Sequence, residues 1–251
     1  MFAIGRRVYG LGAIVLGSAQ LACGAFSPDW LPVSAHVPAY HILVYASAGW
    51  LILAGLAINL PRASAAGALA LAAVFVLGLL VVHLPHTLAK PADWGGWQGV
   101  AESTVMALGG LLAYALSPGV NPARATHIGR IVRPVFAAGL LIFGGSHFLY
   151  AKFTASMVPA WLPPSQLFWA YATGVAQIAA GLAVLSGVQA RLAAILLTVM
   201  YAAFSVLVHI PSVVADPSSQ ANWTENGVNL LLVGAAWGMA DWLGRRRLSA
   251  S

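Results

Sequence analysis

The chain has 251 residues, of which 60% are hydrophobic and only 7% are charged, and its formal net charge is +6. A soluble domain needs about a quarter of its residues charged to cover its surface. This composition therefore excludes a water-exposed globule and predicts an integral membrane protein. The single cysteine, Cys23, excludes an intramolecular disulfide and a metal site built from cysteines alone.

Eight near-continuous apolar runs, each long enough to span a bilayer as a helix, follow one another along the chain. Polar or proline-rich segments separate them. The runs cover residues 8–26, 39–59, 65–84, 98–116, 132–151, 166–186, 190–210 and 226–243. The sequence therefore predicts an all-α membrane protein with eight transmembrane helices.

The basic residues predict the orientation of these helices. All ten arginines lie near the chain ends or in every second loop, whereas the two lysines, Lys90 and Lys152, lie in the other loops. Positive charge is retained on the cytoplasmic side, so both termini are predicted to be cytoplasmic in a bacterial-type inner (plasma) membrane. The same distribution forms no patch for nucleic acid, and the lipid bilayer is the first predicted partner.

The two halves of the chain repeat each other. Residues 45–57 (YASAGWLILAGLA) and residues 171–183 (YATGVAQIAAGLA) are identical at seven of thirteen positions, and the same offset of 126 residues carries His83 to His209. A register held over such a distance indicates an internal duplication.

Each half contains four predicted spans, an even number, so both halves have the same orientation in the membrane. We therefore predict two parallel-repeat four-helix bundles, in residues 1–122 and residues 123–251. The predicted linker between them is the polar segment at residues 117–130.

His83 and His209 are the first candidate site residues. A proline follows each of them two positions later, at Pro85 and Pro211, and predicts that the third and seventh spans end there, at the outer face. Three roles stay open: a structural histidine at the headgroup boundary, a proton- or electron-transfer group facing an outward-open cavity, and a haem or metal ligand.

Further polar residues lie in or beside the fourth and eighth spans. An ionisable residue inside a span usually faces the bundle interior, so we expect Glu102 to face a polar cavity. Glu225 and Asn229 lie where the eighth span begins, and a carboxylate there is also stabilised by the helix dipole. Trp97 and Trp223 precede these spans, either as interfacial tryptophans or as the wall of a shared pocket.

The fifth span carries Ser146 and His147, the sixth carries Gln177, and the first carries Ser18 and Gln20. Hydrogen bonding between helices explains such residues without a function. The alternative is that they form a polar interior in the outer half of both bundles.

No metal site is predicted. His86 follows His83 by three residues, but Ser212 stands at the matching position after His209. The chain has no phosphate-binding loop, cysteine pair or HExxH motif. A b-type haem held by two histidines stays an alternative, with His147 paired to His209 or His41 paired to His83.

A four-span unit with several recurring motifs underlies a family resemblance. Its first helix begins with arginine (RRVYGLGAIVLGSAQ and RPVFAAGLLIFGGSHFLYAKF), and a WLP tripeptide follows in the outer loop. A glycine-containing helix, a short basic turn with RLAA and a histidine near the end of the third span complete it. The positions are 30–32 and 161–163 for WLP, Gly174, Gln177, Gly181 and Leu182 for the glycine helix, and 191–194 for RLAA.

This unit resembles the DoxX-like membrane proteins, whose clan includes DoxD and the MauE-type proteins, and the resemblance covers nearly the whole chain twice. It implies a membrane component of a respiratory or thiol-redox system that handles quinone. Many members have a glutamate where Gln177 stands, and Leu51 stands there in the first half. Carboxylate chemistry of the family would therefore depend on Glu102 here.

The leading hypothesis is a redox-associated integral membrane subunit, such as a subunit of a quinone-linked oxidoreductase. His83, His209 and Glu102 would act on a quinone-like ligand in a cavity near the extracytoplasmic face, because a quinone head needs hydrogen-bond donors and a proton route. The other predicted ligand-binding residues are Trp97, Trp223, Glu225, Asn229, His147 and Gln177. A small-solute transporter, a scaffold for an extracytoplasmic redox protein and a haem protein are the alternatives.

Overall fold

The computed structural model describes residues 2–28 and 30–248, and within this part of the chain every regular element is helical. The side chains of Arg246 and Arg247 lie outside the described part. The first half contains α1 (Phe2–Cys23), α2 (Tyr40–Ala57), α3 (Ser64–Gly78), α4 (Leu84–Ala89) and α5 (Trp94–Ala115). The second half contains α6 (Pro122–Leu149), α7 (Ala151–Met157), α8 (Gln166–Ser186), α9 (Ala190–Phe204), α10 (Ile210–Ala215) and α11 (Gln220–Leu248).

The secondary structure repeats at the interval that the sequence repeats. Adding 126 to the bounds of α3 and α4 gives the bounds of α9 and α10. A five-residue π-helical turn joins the two helices in each half, at Leu79–His83 and at Ser205–His209. Two stretches of different sequence thus share one irregular backbone feature, which supports a common origin of the halves.

The predicted linker at residues 117–130 is partly wrong, because α6 already begins at Pro122. The Asn121 side chain accepts hydrogen bonds from the backbone amides of Ala123 and Arg124 and so caps the helix. Proline suits the first turn of a helix, where its missing N–H is not needed. Asn-Pro is therefore a helix start here rather than a linker.

The two halves interlock instead of forming two separate bundles. Each long helix packs on the next long helix in chain order, and α11 closes the ring by packing on α1, the most extensive contact between any two helices. In addition, α5 and α11 pack against each other. The first helix of each half therefore packs on the last helix of the other half, α1 on α11 and α6 on α5.

Glycines allow these two contacts between the halves. A Cβ on Gly12 of α1 would lie 2.7 Å from the Leu231 amide nitrogen and 2.8 Å from the Gly227 carbonyl oxygen of α11. The equivalent Gly139 of α6 meets Val105 of α5, where a Cβ would lie 2.6 Å from the side chain. Close approach of backbones at small residues is typical of helix packing in membranes.

Five helical segments are long and apolar enough to cross a membrane, which indicates a multi-pass membrane protein. They are Tyr40–Ala57, Ser64–Ala89, Pro122–Leu149, Gln166–Ser186 and Ala190–Ala215. The helices α2, α3, α8 and α9 expose large apolar side chains such as Ile42 (71% exposed) and Leu53 (68%), as contact with lipid requires. Within the described residues, α1, α5 and α11 are not among these five segments, and α11 packs against both α1 and α5.

Candidate functional site

The structure corrects the prediction that the third and seventh spans end at His83 and His209. The amide of Leu84 donates to the carbonyl of Leu79, and the amide of Ile210 donates to that of Ser205, so each π-turn passes directly into another helix. Each proline then falls in the first turn of α4 or α10, where it needs no N–H. Such π-turns inside helices often mark functional sites.

His83 and His209 are both buried, at 5% and 8% exposure, but the structure holds them apart. The π-turn of His83 packs against α5 and that of His209 against α11. Among the described residues, no hydrogen bond or ring contact joins the two imidazoles. They lie in two separate places, so their predicted cooperation on one ligand has no geometric support.

His83 is enclosed by aromatic and backbone groups of the first half. Its ring centroid lies 6.4 Å from that of Trp30, and a Cβ on Gly99 would lie 2.7 Å from its Nδ1. Among the described residues, neither the buried Nε2 atom of His83 nor the buried indole nitrogen of Trp30 has a hydrogen-bond partner. In the second half, Trp161 of the other WLP tripeptide is 71% exposed.

Trp97 and Trp223 brace the loops that precede α5 and α11. The indole N–H of Trp97 donates to the carbonyl of Pro91 (3.0 Å), and that of Trp223 donates to Pro217 (2.9 Å). Each bond links the start of a long helix to the loop six residues before it. These hydrogen bonds to the loops explain both tryptophans, and no role in the wall of a shared pocket is needed to account for them.

A third tryptophan that the sequence reasoning missed makes the same bond. Trp169 donates to the carbonyl of Pro163 at 2.9 Å. The signal was present in the sequence, since a proline again precedes a tryptophan by six positions.

The loop that Trp223 braces is ordered further by Asp216. The Asp216 carboxylate accepts hydrogen bonds from the Ser218 hydroxyl (2.6 Å) and the Ser218 amide (3.1 Å). These bonds lower the pKa of Asp216, which lies outside the apolar spans. The carboxylate therefore keeps its charge in the loop at neutral pH.

Glu102 lies at the end of a chain of hydrogen bonds between α5 and α6. The indole N–H of Trp94 donates to the Ser146 hydroxyl oxygen (2.8 Å). The Ser146 hydroxyl in turn donates to Oε1 of the Gln98 side chain (2.5 Å). The Gln98 amide then donates to a Glu102 carboxylate oxygen (3.1 Å). Glu102 is half-buried.

A second hydrogen-bonded group, on α6, α8 and α9, contains His147 and Gln177. The Nδ1 atom of His147 lies 3.1 Å from the Ala170 carbonyl oxygen and 2.9 Å from the Thr173 hydroxyl. Its Nε2 atom lies 2.9 Å from the Gln177 amide nitrogen, and the Tyr201 hydroxyl donates to the Gln177 carbonyl oxygen at 3.4 Å. Both ring nitrogens of His147 are therefore engaged, and a haem iron would have to displace one of these bonds.

Asn229 connects the same region to α9. Its amide donates to the Tyr201 carbonyl (2.9 Å) and to the Ser205 hydroxyl (2.7 Å), at the start of the second π-turn. Asn229 is 4% exposed. The contacts fit an interhelical hydrogen bond that fixes α11 on α9.

The first half contains the structural equivalent of His147 but not of the whole group. Gln20 donates to the Val44 carbonyl and to the Ser47 hydroxyl, which lie 126 positions before Ala170 and Thr173. Gln20 thus makes both contacts that His147 makes through Nδ1.

The rest of the group is apolar in the first half. Leu51 and Phe75 stand 126 positions before Gln177 and Tyr201, and both are buried. The reverse holds for Glu102 of the first half, because the residue 126 positions later in the second half is the apolar Val228. The expected polar interior of both halves is therefore concentrated at the second half and its border with α5.

Sequence reasoning identified Glu102, His147 and Gln177 but missed two members of the hydrogen-bonded chain that ends at Glu102. Trp94 and Gln98 precede Glu102 by eight and four residues, so they lie on one face of α5. That spacing could have identified them. Within residues 2–28 and 30–248, no group of three or more histidine, cysteine or acidic side chains could hold a metal ion.

One comparison with known proteins finds a partial match. Residues 136–240, fewer than half of the chain, match the model of the "Domain of unknown function (DUF8561)" family. The match runs from α6 into α11 and includes His147, Gln177 and Tyr201. No curated protein matches the chain, and no solved structure matches it. The resemblance to the DoxX-like proteins stays a prediction.

Proposed function

We propose that this chain is an eight-span membrane protein that binds a quinone-like amphipathic ligand beside Glu102, as a subunit of a redox system. Its halves would be parallel repeats related by an axis along the membrane normal, with α1, α5 and α11 as additional spans. A span that packs against other helices can contain more polar residues than a span that is exposed to lipid.

The arginine contacts support a cytoplasmic position for both termini. Arg133 donates to the carbonyls of Val184 and Leu185 at the end of α8, and Arg245 donates to the carbonyl of Leu116 just after α5. Arginines thus satisfy the free carbonyls of helix C-termini at one end of the molecule. The Glu102 chain starts near Trp94, at the opposite end of α5.

The hydrogen-bonded chain from Trp94 to Glu102 is the observation that carries the ligand proposal. It combines donors, an amide and a carboxylate in a half-buried place at the outer end of α5 and α6, among otherwise apolar helices. A polar group so placed is costly unless it serves a purpose. A ring hydroxyl could donate to Glu102, and an apolar tail would lie in the surrounding lipid.

Binding can be tested in nanodiscs with a 1,4-benzoquinone that carries a decyl tail, and with its hydroquinone under anaerobic conditions. A hydrogen bond to a charged group contributes about 1.5–3 kcal/mol. The Kd for the hydroquinone should therefore rise about tenfold to hundredfold in Glu102→Gln. Asp216→Asn, which removes an exposed carboxylate in a loop, is the matched control and should bind as the wild type does.

Two outcomes would contradict this proposal. One is that neither probe binds the wild-type protein in a saturable manner. The other is that Glu102→Gln and Asp216→Asn bind equally well, which would place any binding elsewhere on the chain.

A further inference from the structure

In the described part of the chain, three buried polar atoms without a hydrogen-bond partner lie in one short turn and in the π-turn beside it. They are the Ser27 hydroxyl oxygen, the Trp30 indole nitrogen and Nε2 of His83. The backbone amides of Trp30 and Leu31 donate to the Ser27 carbonyl (3.3 and 2.8 Å) and so form the turn. The ring centroids of Trp30 and His83 lie 6.4 Å apart. The two nitrogens therefore belong to neighbouring rings.

Two such nitrogens on neighbouring rings need a physical explanation. Trp30 is 8% exposed and His83 is 5% exposed, so neither side chain is open to bulk water. A buried donor or acceptor that lacks a partner is costly, and most buried polar groups in native proteins bind protein, ordered water or an ion. The pair therefore indicates that a partner belongs between the two rings.

Gly99 of α5 indicates which nitrogen of His83 carries the hydrogen. A Cβ on Gly99 would lie 2.7 Å from Nδ1 of His83, so a Cα hydrogen of this glycine points towards Nδ1. A hydrogen on Nδ1 would collide with it, whereas a lone pair can accept a weak C–H contact. Nε2 of His83 therefore carries the N–H group. Because the indole nitrogen of Trp30 is also a donor only, both groups need an acceptor.

One oxygen can accept from both donors. Each N–H···O bond spans about 2.9 Å, and rings whose centroids lie 6.4 Å apart can hold their nitrogens at the two ends of a pair of such bonds. The surroundings are apolar, since the Phe75 ring lies 6.3 Å from that of Trp30. An anion is costly to bury unless it is paired. A neutral acceptor, such as a carbonyl oxygen, therefore suits this place best.

The second half has a phenylalanine in the place of Trp30. Tyr201 stands 126 positions after Phe75, and its ring centroid lies 6.0 Å from that of Phe204. Trp30 makes the equivalent contact with Phe75 in the first half. Trp161, the tryptophan of the other WLP tripeptide, is 71% exposed instead. An indole N–H is therefore brought beside the π-turn histidine in the first half only, as far as the described residues show.

Gly78 provides the room for this difference. It stands 126 positions before Phe204 and directly precedes the π-turn that ends at His83. A Cβ on Gly78 would meet one atom of the described residues within 4 Å, Cδ1 of Leu31 at 3.5 Å. The first half thus has open space at the base of the π-turn, where the second half has an aromatic ring.

We propose that Trp30 and His83 form a second ligand site, whose two N–H groups bind the carbonyl oxygen of a neutral amphipathic molecule. The site goes beyond the proposed function and rests on it only for the class of ligand. A quinone has ring carbonyls and no ring hydroxyl, so it suits two donors, whereas the hydroquinone suits the Glu102 acceptor. The two sites lie on different faces of α5, because Gly99 faces His83 and Gln98 faces α6, and consecutive helical residues point about 100° apart.

The first test follows the Trp30 indole N–H by NMR in nanodiscs, with protein whose tryptophan side chains carry 15N. The Trp30 signal is identified by its loss in Trp30→Phe, which keeps a ring against Phe75. Adding the decyl benzoquinone should move this signal downfield in a saturable manner, because the N–H gains an acceptor. The signal of the exposed Trp161, identified in Trp161→Phe, should show no saturable shift.

The second test compares the Kd of the decyl benzoquinone among variants. The Kd should rise about two- to tenfold in Trp30→Phe, the value of one neutral hydrogen bond. His83→Asn keeps a polar atom beside Gly99 but has no group at the position of Nε2, and it should raise the Kd by a similar factor. Trp161→Phe makes the same chemical change in the other WLP tripeptide and is the matched control, which should bind as the wild type does.

Three outcomes would overturn the inference. One is a Trp30 signal that is already at a hydrogen-bonded position without quinone and does not move, which would mean that an ordered water satisfies the pair. Another is that Trp30→Phe, His83→Asn and Trp161→Phe all bind equally well. The third is a benzoquinone Kd that rises in Glu102→Gln but not in Trp30→Phe, which would place both probes at Glu102 and leave the proposed function intact.

The opposite result separates the two proposals. A saturable Trp30 shift, together with a hydroquinone Kd that is equal in Glu102→Gln and Asp216→Asn, would support this site and refute the proposed function. Thermal unfolding of each variant shows whether it is folded before its Kd is compared. If Trp30→Phe does not fold, His83→Asn still tests the site.

Discussion

The structural equivalence of the two halves can be tested by converting one polar group into its apolar counterpart. His147, Gln177 and Tyr201 correspond to Gln20, Leu51 and Phe75. Gln177→Leu alone should be destabilising, because it leaves His147 Nε2 and the Tyr201 hydroxyl without partners inside the protein. The triple variant His147→Gln, Gln177→Leu, Tyr201→Phe should recover most of this loss, because it replaces all three partners together.

The size of both effects follows from the number of bonds broken. An interhelical hydrogen bond in a membrane protein contributes about 0.6 kcal/mol on average and about 1.7 at most, so losing two costs about 1–3 kcal/mol. For a chain of this size, each kcal/mol lowers the unfolding midpoint by about 2–4 °C, which predicts a decrease of about 2–12 °C for Gln177→Leu. The triple variant should lie within about 1 kcal/mol of the wild type.

The assay is thermal unfolding in detergent, followed by tryptophan fluorescence at one fixed scan rate, since unfolding of such proteins is often irreversible. If the triple variant is as unstable as Gln177→Leu, the apolar set does not fit the second half. The equivalence drawn from Gln20 and His147 would then be refuted.

Two further predictions concern packing and orientation. Gly12→Ala should destabilise the chain by about 1–3 kcal/mol, because the added Cβ would lie 2.7 Å from the Leu231 amide nitrogen. Gly49→Ala is the control in the same unfolding assay. A Cβ on Gly49 meets no atom within 4 Å, so this variant should be neutral or slightly stabilised. In a chain lacking its native cysteine, Asp216→Cys should react with a membrane-impermeant maleimide on whole cells and Arg62→Cys only after lysis. The opposite labelling pattern would invert the proposed topology.

The positions of the long helices could be predicted from the sequence because apolar runs and charge distribution reflect the bilayer directly. The predicted span at residues 166–186 coincides with α8, and the span at residues 39–59 differs from α2 by one or two residues at its ends. The repeat could also be predicted, since the sequence identity and the backbone follow the same offset.

The course of the chain at His83 and His209 could not be predicted from the sequence. Proline usually ends a helix, and only the π-turn before it allows helix to continue through Pro85 and Pro211. A π-turn depends on the packing of the whole helix. No local sequence pattern indicates it in the two turns, LLVVH and SVLVH.

The composition of the site could be predicted only in part. An offset of 126 residues relates most of the two halves, but Gln20 and His147 are 127 residues apart, so a single register does not align them. The link from Glu102 to Ser146 crosses from one half to the other. It depends on how α5 and α6 pack, which the hydropathy of neither helix specifies.

The closure of the ring by α1 on α11 has a consequence for biogenesis. The ribosome completes α1 before α2 to α10 and α11 after them, so α1 stays without its largest neighbour while those helices are synthesised. Until α11 is made, the glycine-containing surface of α1 around Gly12 has to be covered by lipid or by an insertion chaperone. A fragment ending before α6 would therefore be a substrate for membrane proteases rather than a stable half-protein.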